Sequence, residues 1–571
     1  MKQLLTTIFK AAIQETFGDV AENCDPAIQI STRKEFGDYQ ANFAMRLAKL
    51  LNKKPFDVAN TVVEKLNHEK IFNRLEPSGP GFINIFLKDE FLAERMQSLA
   101  HDQRLGVEQD QIPETVVVDY ANANVAKEMH VGHIRSIVIG DAIVRILDFL
   151  GHSVIRQSHL GDWGTQFGML IEYLYETGEQ NTSHSVSDLD PLYKNSKAKF
   201  DADPAFADRA RERVVALQNG DTETFAIWNK LVKESLDYFQ KIYDKLDVLL
   251  TEEDARGESY YNPMLADTVA ELIKIGLAYE SEDAVVVPLE EFPIPYLIRK
   301  KDGGYLYATT DLAAARFRVD TLNAKRIIYL TDARQKQHFA MLFATLRKAK
   351  WINDDVRLEH IPFGAILGKD NKPFKTRSGE SIKLISLLEE AENRAEAIAH
   401  EKNTTLSPEQ IKKIAHEIGM GALKYADLRS DKVKDYVFEW EKLLSFEGNT
   451  APYLQNAYVR ICAIFRKGAI HQKDIQQAKI MLTTETEHSL ATKILNFPDI
   501  VYSVSDNLSL HTLCDYLYDL AATYHKFYEH CPILSNEDKL LRDSRLLMSD
   551  LTARTLQLGL DLLGINTLEQ M

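Results

Sequence analysis

The apolar positions of this chain repeat with helical spacing towards both ends, and they mix strand and helix spacing in the middle. Before about residue 110, helical patterns at residues 4–17, 39–51 and 55–66 accompany a strand-like run at 82–86. This mixture predicts a small α+β domain. After roughly residue 380 the strand signals fade, which predicts an all-α region. Its longest amphipathic runs are residues 381–402, 408–428, 452–467 and 512–530.

The middle of the chain alternates strands with helices. A β-branched run at 115–119 leads to an apolar helical run at 134–150, which Gly151 ends, and a second strand-like run follows at 153–157. This order is typical of a βαβ unit in a parallel sheet. A polar stretch at 177–190 indicates an insertion into the unit.

Further strand patterns lie beyond the insertion, at residues 284–289 and 296–300. The Asp-Gly-Gly turn at 302–304 would lead back into residues 305–307, which predicts a hairpin. The run at 326–330 has the β-branched and aromatic character of a buried parallel strand.

The composition is that of an ordinary globular protein with several domains. With 571 residues, 45% of them hydrophobic and 27% charged, the chain is long enough for three or four domains. No run of about 18 apolar residues occurs, and polar residues interrupt the apolar N-terminal segment, so we expect a cytosolic protein. The four cysteines form no CxxC pair, which predicts neither a zinc site nor a disulfide framework.

The net charge is −16, from 68 basic and 84 acidic residues. A chain this acidic would not bind nucleic acid through its overall charge. A nucleic-acid partner would therefore need a local basic face.

The segment after the strand at 115–119 carries the most informative chemistry. His130 and His133 stand three residues apart with Gly132 between them, where the predicted helix starts. First-turn N–H groups and the helix dipole favour anions there, and two imidazoles can face phosphates. Gly132 would let an adenine ring approach the backbone. The alternative is a chance HxGH sequence; the strand-to-helix position favours a nucleotide site.

The run NVAKEMHVGHIRS at residues 124–136 resembles the HIGH motif of class I aminoacyl-tRNA synthetases, and specifically that of the arginyl-tRNA synthetase family. The resemblance extends from GDYQANFAM at 37–45 into the helical C-terminal region. Four further motifs match in the same order: HLGDWGTQFG at 159–168, YATTD at 307–311, DARQKQH at 332–338 and PFKTR at 373–377.

This resemblance implies an α/β fold with a Rossmann-type class I synthetase catalytic domain, an N-terminal α+β appended domain and an all-α C-terminal anticodon-binding domain. The N-terminal domain, at 1–110, would contact the tRNA elbow. The catalytic domain, at 111–380, would carry an insertion near 175–255. A helical stem at 381–440 and the anticodon-binding domain at 441–571 would complete the chain.

The resemblance also implies a set of arginine-binding residues: Asn122, Asn124, His133, Tyr307, Asp311 and Gln335. A carboxylate such as that of Asp311 matches the planar donor fork of a guanidinium. Tyr307 would lie one helical turn away, Gln335 would add a neutral contact, and the remaining three would hold the α-amino end. From the residues alone, Asp311 could instead be the N-cap of a helix that starts at LAAARF.

For ATP, the resemblance implies binding by His130, Gly132, His133 and Lys375, and catalysis by His130, His133, Lys127, Lys375 and Arg377. Class I synthetases neutralise the triphosphate with a KMSKS-type loop, and FKTRSG at 374–379 matches it, with Lys375 lying 375 − 133 = 242 residues beyond His133. The second lysine is missing there, and Lys127 matches a compensating lysine upstream of HVGH. The alternative is a solvated basic loop, the assignment given to Lys369 and Lys372.

Two other regions carry weaker signals. In HLGDWGTQFG, Asp162 and Gln166 could orient neighbours, while Trp163 and Phe167 would pack in a core. Near the tRNA elbow, Tyr39, Gln40 and Asn42 are surface candidates, with a capped helix start as the alternative. In the C-terminal region aromatic and basic side chains interleave as in single-stranded RNA binders, although most of these aromatics must be core. They are Tyr425, Tyr436, Trp440, Tyr453, Tyr458, Arg429, Lys432, Lys434 and Arg460.

The resemblance thus implies an arginine–tRNA ligase that forms arginyl-adenylate from ATP and transfers arginine to the 3′ adenosine of tRNA(Arg). ATP would bring Mg²⁺, no zinc is expected, and the implied enzyme is a cytoplasmic monomer that requires tRNA for adenylate formation. Three alternatives compete with it: another class I synthetase such as the zinc-containing cysteine enzyme, a small HxGH nucleotidyltransferase, and a catalytically inactive RNA-binding or amino-acid-sensing paralogue.

Overall fold

The computed structural model describes residues 1–31, 33–66, 70–180, 182, 186–301, 303–374, 381–402 and 406–571, without the side chains of residues 187 and 402. The chain divides into two compact units. The first comprises Met1–Glu108, Tyr453–Leu560 and Thr567–Met571, and the second Gln109–Pro452 and Asp561–Asn566. Among the helices of the described residues, none combines the length and the apolar character needed to span a bilayer.

The N-terminal part of the first unit is a four-stranded antiparallel sheet, in the order β1-β2-β4-β3, with helices beside it. Its elements are α1 (Lys2–Phe17), β1 (Ile28–Ile30), β2 (Tyr39–Ala41), α2 (Ala44–Leu51), α3 (Pro55–Lys65), β3 (Phe72–Ser78), β4 (Phe82–Leu87) and α4 (Asp89–Leu99).

One helix prediction in this part is wrong at its start. Residues 39–41 form strand β2, and the helix begins only at Ala44. The strand pairs with β1 on one side and β4 on the other, which buries Tyr39 and Ala41 on the same face. Three residues of period-two burial are too few to be distinguished from the helical pattern that follows them.

The second unit alternates strands and helices. Its elements are β5 (Thr115–Asp119), α5 (His133–Phe149), β6 (Ser153–Leu160), α6 (Thr165–Thr177), α7 (Val186–Ala202), α8 (Pro204–Gln218), α9 (Thr222–Leu246), β7 (Ala255–Gly257), α10 (Glu258–Lys274), β8 (Tyr279–Ser281), β9 (Ala284–Val287), β10 (Tyr296–Arg299), α11 (Tyr307–Asp320), β11 (Arg326–Asp332), α12 (Lys336–Lys348), β12 (Arg357–Phe363), β13 (Ile366–Leu367), α13 (Leu384–Lys402), α14 (Pro408–Leu428), β14 (Tyr436–Val437) and α15 (Trp440–Leu443).

The centre of this unit is a five-stranded parallel sheet in the order β12-β11-β5-β6-β7. Strand β5 has the predicted bounds, and Val116, Val117 and Val118 are wholly buried in it. The chain leaves β5 to one side towards β6 and returns on the other side as β11. Ligands of open α/β sheets bind where the strand order reverses in this way, at the carboxyl ends of the strands.

The predicted insertion is helical, since α7, α8 and α9 lie between β6 and β7. The predicted hairpin is wrong in its second arm. Strand β10 joins a small antiparallel sheet with β9 and β8, and a single bridge connects Arg299 to Tyr305. Helix α11 already begins at Tyr307, so Asp311 is the fifth residue of the helix and the N-cap interpretation is wrong.

The C-terminal residues form helices, as the periodicity predicts. They are α16 (Ala451–Gly468), α17 (Gln472–Ile475), α18 (Glu485–Leu495), α19 (Phe497–Asn507), α20 (Leu510–His530) and α21 (Lys539–Leu562). Short 3-10 turns at Gly18–Ala21, Lys34–Phe36, Glu252–Asp254 and Ala333–Gln335 complete the described elements. The apolar faces of the long helices pack together, with Leu513, Leu517 and Leu520 of α20 inaccessible to solvent.

Candidate active site

The HVGH turn lies between the carboxyl end of β5 and the start of α5, where the sequence predicts it. The rings of His130 and His133 are 4.0 Å apart, centroid to centroid. The backbone N–H of Gly132 donates to Nδ1 of His130 over 3.1 Å. A neutral His130 ring therefore carries its proton on Nε2, where it can be donated to a ligand.

Both imidazoles of this turn favour the neutral form. Burial first, and then the neighbouring His130 ring, lower the pKa of His133 to about 4. Burial and the charge of Arg334 also lower the pKa of His130. The two rings thus act near pH 7 as hydrogen-bonding groups rather than as cations.

The structure gives Gly132 a role that the sequence does not indicate. A Cβ atom on Gly132 would lie 2.9 Å from Cε1 and 3.0 Å from Nδ1 of His130. The missing side chain therefore leaves room for the His130 ring to fold back over the turn. The approach of an adenine ring to this glycine stays a prediction.

A carboxylate pocket lies at the same edge of the sheet. The carboxylate of Asp311, on α11, is 2.6 Å from Nε2 of His338 and 3.9 Å from Nε2 of His159. Burial opposes its ionised form, but the hydrogen bond with His338 and the surrounding positive charges hold the pKa of Asp311 below its usual value. Asp311 is therefore an ionised, largely buried carboxylate.

Two tyrosines border this carboxylate. The hydroxyl of Tyr296 lies 3.2 Å from Nδ1 of His338, on the side of the ring opposite Asp311. The ring of Tyr307 is 4.9 Å from that of His338, and the residue is 62% exposed. Tyr307 thus stands at the open side of the pocket, one helical turn before Asp311, as predicted.

Glu258 is a second carboxylate that sequence reasoning misses. It is the first residue of α10, directly after strand β7. Burial first, and then repulsion from Asp162 and Asp311, raise the pKa of Glu258 to about 8. Strand β7 is only three residues long and contains an arginine, so no hydrophobic pattern places Glu258 at the end of a sheet strand.

A buried ion pair connects the helix that carries Asp311 to the central strands. The guanidinium of Arg318, on α11, lies 2.6 Å from the carboxylate of Asp119 at the end of β5. Its Nε also donates to Gln157 of β6 over 2.7 Å. This arginine therefore fixes α11, and with it Asp311, to the two central strands. The sequence gives no signal for it, because an arginine on an amphipathic helix is normally solvated.

The two predicted asparagines lie close to this pocket. The side-chain oxygen of Asn122 accepts the backbone N–H of His159 over 3.0 Å. Asn124 forms a bridge with Gly161, where a Cβ would come within 2.3 Å of the asparagine oxygen. Both asparagines thus tie the loop after β5 to the end of β6, and Asn124 is exposed there.

Asp162 and Phe167 behave as predicted, whereas Trp163 is only half-buried. Its carboxylate accepts the backbone N–H and the hydroxyl of Ser259, over 2.9 and 2.6 Å, and so orients the start of α10. Phe167 is buried in the core, and Trp163 packs edge-on against Trp228 with ring centroids 5.7 Å apart.

The other predicted ATP and arginine residues are less closely grouped. Gln335 is exposed just before α12, three residues from His338. Nζ of Lys127 lies 4.2 Å above the ring of Tyr193. Lys375 and Arg377 lie outside the described residues. Lys369 and Lys372 are exposed, as expected for a solvated face.

Three of the RNA candidates make contacts inside the protein. Tyr39 is inaccessible to solvent and its hydroxyl contacts Asn496, so its assignment to a surface is wrong. Gln40 donates to Asn84 over 2.7 Å from strand β2, which also excludes the capped helix start. Tyr425 is buried, with its hydroxyl 2.5 Å from Asn449.

A cavity of about 580 Å³ in the C-terminal helices combines basic and aromatic side chains. Arg460 and Lys467 of α16 face Tyr524, His525 and Tyr528 of α20 across it. Such a mixture suits stacking on a nucleobase and pairing with a phosphate. Among the part of the chain that the structure describes, no group of three His, Cys, Asp or Glu side chains could hold a metal ion.

Models of three known domain families match successive segments of the chain. The model for the class I (R) tRNA synthetase catalytic domain matches residues 95–440. The arginyl tRNA synthetase N terminal domain matches residues 3–87, and the DALR anticodon binding domain matches residues 454–571.

Individual relatives agree with the family models over the whole chain. The arginine–tRNA ligase of Salmonella dublin is 49% identical over 556 residues, which are 96% of each chain. The arginyl-tRNA synthetase from Plasmodium falciparum is 32% identical in sequence. Its crystal structure matches this one with a TM-score of 0.87, over 100% of this chain and 99% of that one. The Thermus thermophilus arginyl-tRNA synthetase has the same fold, with a TM-score of 0.84 at 23% identity over the whole of both chains. The chain belongs to the arginyl-tRNA synthetase family of class I aminoacyl-tRNA synthetases.

Proposed function

We propose that this chain is an ATP-dependent arginine–tRNA ligase in which the carboxylate pocket binds arginine and the HVGH turn binds ATP. The observation that carries this assignment is the ionised carboxylate of Asp311, buried at the same sheet edge as two neutral histidines. A cation with a planar donor fork satisfies the first site, and a phosphate the second.

The arginine side chain would lie between two acidic groups. Asp311 would accept guanidinium N–H groups, Glu258 would become ionised as the cation enters, and the hydroxyl of Tyr307 would add a further acceptor. Gln335 would supply a neutral contact. At the other end of the substrate, Asn122, Asn124 and His133 would hold the α-amino group.

Adenylate formation would need no covalent nucleophile from the protein. The arginine carboxylate attacks the α-phosphorus of ATP, the bond to the β-phosphate oxygen breaks, and pyrophosphate leaves. The transition state gathers negative charge on the phosphate oxygens. Nε2–H of His130, the neutral ring of His133 and the first-turn N–H groups of α5 would stabilise that charge beside Gly132, and Lys127, Lys375 and Arg377 would neutralise the triphosphate.

Mg²⁺ would enter as the counter-ion of ATP and bind chiefly triphosphate oxygens. In the second step, a hydroxyl of the 3′-terminal adenosine of tRNA(Arg) attacks the arginyl carbonyl carbon and loses its proton, and AMP leaves. Both steps then depend on positioning and on electrostatic stabilisation rather than on a nucleophilic side chain. We further propose that adenylate formation requires bound tRNA.

We assign the contacts with the anticodon loop to the C-terminal helices. Arg460, His525 and Tyr528 line the mixed basic and aromatic cavity, which suits a base of the anticodon loop. Gln40 and Asn42 remain candidates for contacts with the tRNA elbow. We keep the division into domains at 1–110, 111–380, 381–440 and 441–571 as a proposal, together with a monomer that works in the cytoplasm, where tRNA is charged.

Arginine-dependent exchange of pyrophosphate into ATP tests this function. The purified protein is assayed with arginine, lysine or cysteine, with and without tRNA(Arg). Exchange with arginine alone among the three amino acids is expected, and it should require tRNA. Absence of exchange under every condition would contradict the ligase, while exchange without tRNA would contradict only the tRNA requirement.

A further inference from the structure

The first turn of α5 contains a buried arginine that the proposed chemistry does not use. The side chain of Arg135 is inaccessible to solvent. Its Nε donates to the carboxylate of Asp427 on α14 over 2.7 Å, and one terminal nitrogen donates to the carbonyl of Lys434 over 2.9 Å. The ring of Tyr436 lies 5.3 Å from the guanidinium carbon. We call these three side chains, Arg135, Asp427 and Tyr436, the α5 anchor.

A buried ion pair of this kind is weak evidence for stability, because desolvation offsets much of the attraction between the charges. It does impose geometry, since the planar fork of a guanidinium satisfies two partners only in one arrangement. The α5 anchor therefore fixes the direction in which the chain after α14 passes the HVGH turn.

From the anchor, backbone contacts continue to the chain that precedes Lys375. Strand β14 pairs in parallel with β13, which sets Tyr436 opposite Ile366. The N–H of Gly364 donates to the carbonyl of Lys432 over 3.1 Å. A Cβ on Gly364 would lie 2.6 Å from backbone atoms of Lys434, so the two segments are in close backbone contact.

Phe374 completes this path on the N-terminal side of Lys375. Its N–H donates to the carbonyl of Ile366 over 3.0 Å. Its ring stacks on that of Phe438, with centroids 4.7 Å apart. The residue directly before Lys375 is thus attached to β13 and to the residue that follows β14.

The chain that follows residue 380 is attached to the same turn. The N–H of Val131 donates to the carbonyl of Ile382 over 2.9 Å, and that of Leu384 donates to the carbonyl of Met129 over 2.8 Å. Nζ of Lys383 lies 2.6 Å from the carboxylate of Glu128. The described residues on both sides of 375–380 are therefore fixed to the HVGH segment, by two independent sets of contacts.

We propose that Arg135 is a positioning residue for the ATP half of the reaction: with Asp427 and Tyr436 it holds the residues that lead into Lys375 in register with the HVGH turn. This inference rests on the proposed roles of Lys375 and the HVGH turn in binding ATP. A separate ion pair, between Arg318 and Asp119, fixes Asp311 and the arginine pocket to the sheet. Loss of the α5 anchor is therefore expected to impair the use of ATP and to spare the affinity for arginine.

The chain offers a matched control for this residue. Arg545 is also buried, its Nε donates to Glu487 over 2.7 Å, and a terminal nitrogen donates to the carbonyl of Pro532 over 2.8 Å. Arg135→Lys and Arg545→Lys thus remove the same fork from the same kind of site while keeping the charge. Only the first touches the path to Lys375.

The test measures arginine-dependent pyrophosphate exchange at saturating tRNA, with KM and kcat determined separately for ATP and for arginine. Arg135→Lys is expected to lower kcat/KM for ATP about tenfold and to leave the KM for arginine within about twofold, as the loss of the two-partner guanidinium geometry predicts. Arg545→Lys should change neither constant. Urea unfolding should show similar losses of stability in the two variants.

Gly364→Ala gives a second, independent test, because it separates the two segments without removing a charge. It should reproduce the selective loss for ATP, whereas Gly559→Ala, where the new Cβ meets the side chain of Leu517 at 2.5 Å, should not. Equal losses for ATP and arginine, or the same ATP loss in Arg545→Lys as in Arg135→Lys, would overturn the inference. The exchange activity of the unmodified enzyme tests the proposed function separately.

Discussion

Asp311 and Glu258 are two buried carboxylates whose charges interact, and their different neighbours leave them in different protonation states. Asp311 has a histidine as hydrogen-bond partner and remains ionised, whereas Glu258 faces two other carboxylates and holds its proton up to about pH 8. Two ionised carboxylates without a cation between them would repel each other. The ionised Asp311 therefore suits one positive charge, and release of the Glu258 proton would supply a second acceptor.

Asp311→Asn is expected to raise the KM for arginine by about 100-fold, because a charge-assisted hydrogen bond to a guanidinium contributes roughly 2–3 kcal/mol. The KM for ATP should stay within about twofold, which exchange kinetics would measure. Asp354→Asn, at a fully exposed side chain, is the matched control and should change neither constant. An unaltered KM for arginine in Asp311→Asn would remove this residue from the pocket.

Glu258 makes arginine binding depend on pH. Its pKa of about 8 in the free enzyme means that arginine must displace a proton below that pH. Affinity for arginine should therefore rise between about pH 6 and 8, by at most tenfold per unit, and level off above. Calorimetry in buffers of different ionisation enthalpy would detect the released proton. Glu258→Gln should abolish both the proton release and the pH dependence; a pH dependence that persists in this variant would contradict the assignment.

At the scale of elements, helix α5 places the HVGH turn because it packs unusually close to the chain after β5. A Cβ atom on Gly140 would lie 2.2 Å from the ring of Tyr120, a residue that is itself wholly buried. Glycine is a poor helix former, by about 1 kcal/mol relative to alanine, so propensity alone favours Gly140→Ala. Packing opposes it.

We expect Gly140→Ala to lower the free energy of unfolding by about 1–3 kcal/mol, as overpacking of a filled core does, and to lower exchange activity by shifting α5. Urea unfolding and exchange kinetics would measure the two effects. Tyr120→Leu in the same chain should recover part of both, because it removes the ring that the new methyl group meets. A more stable Gly140→Ala protein would show that helix propensity prevails at this site.

At the scale of the whole molecule, residues from the two ends of the chain form the first unit together. His488 of α18 lies between the carboxylates of Asp38 and Asp89, at 2.8 and 2.6 Å. Burial opposes its charged form, but the hydrogen bonds and charges of the two aspartates raise the pKa of His488 to about 9. This histidine is a cation that joins the N-terminal sheet and helices to the C-terminal helices.

His488 should stabilise the first unit only while it is charged. Because its pKa is raised from about 6.5 in the unfolded chain, the stabilisation is complete below about pH 6.5 and is lost as pH rises through about 9. His488→Gln should therefore lower the free energy of unfolding at pH 6 by about 1–2 kcal/mol. The variant should unfold at a lower urea concentration at pH 6 and behave almost like the unmodified protein near pH 10. His530→Gln, at an exposed histidine, is the control. An equal loss at both pH values would mean that packing, not charge, is responsible.

The sequence by itself determined the parts of this protein in which chemistry and local pattern coincide. The hydrophobic run of β5, the helix after it and the histidines between them are all local, since a strand-to-helix turn is fixed by a few consecutive residues. The family motifs likewise located Asp311 and Tyr307 one helical turn apart. These features need no contact across the chain to be recognised.

Only the tertiary structure decided the burial and the ion pairing of side chains whose partners are distant in sequence. Glu258 interacts with the charges of Asp162 and Asp311 only because a three-residue strand completes the sheet. Tyr39 is internal only because two other strands enclose it. Arg135 and Arg318 look like ordinary helix arginines until Asp427 and Asp119 are brought against them. Burial and charge are sums over all neighbours in space, and a single chain position contains only its neighbours in sequence.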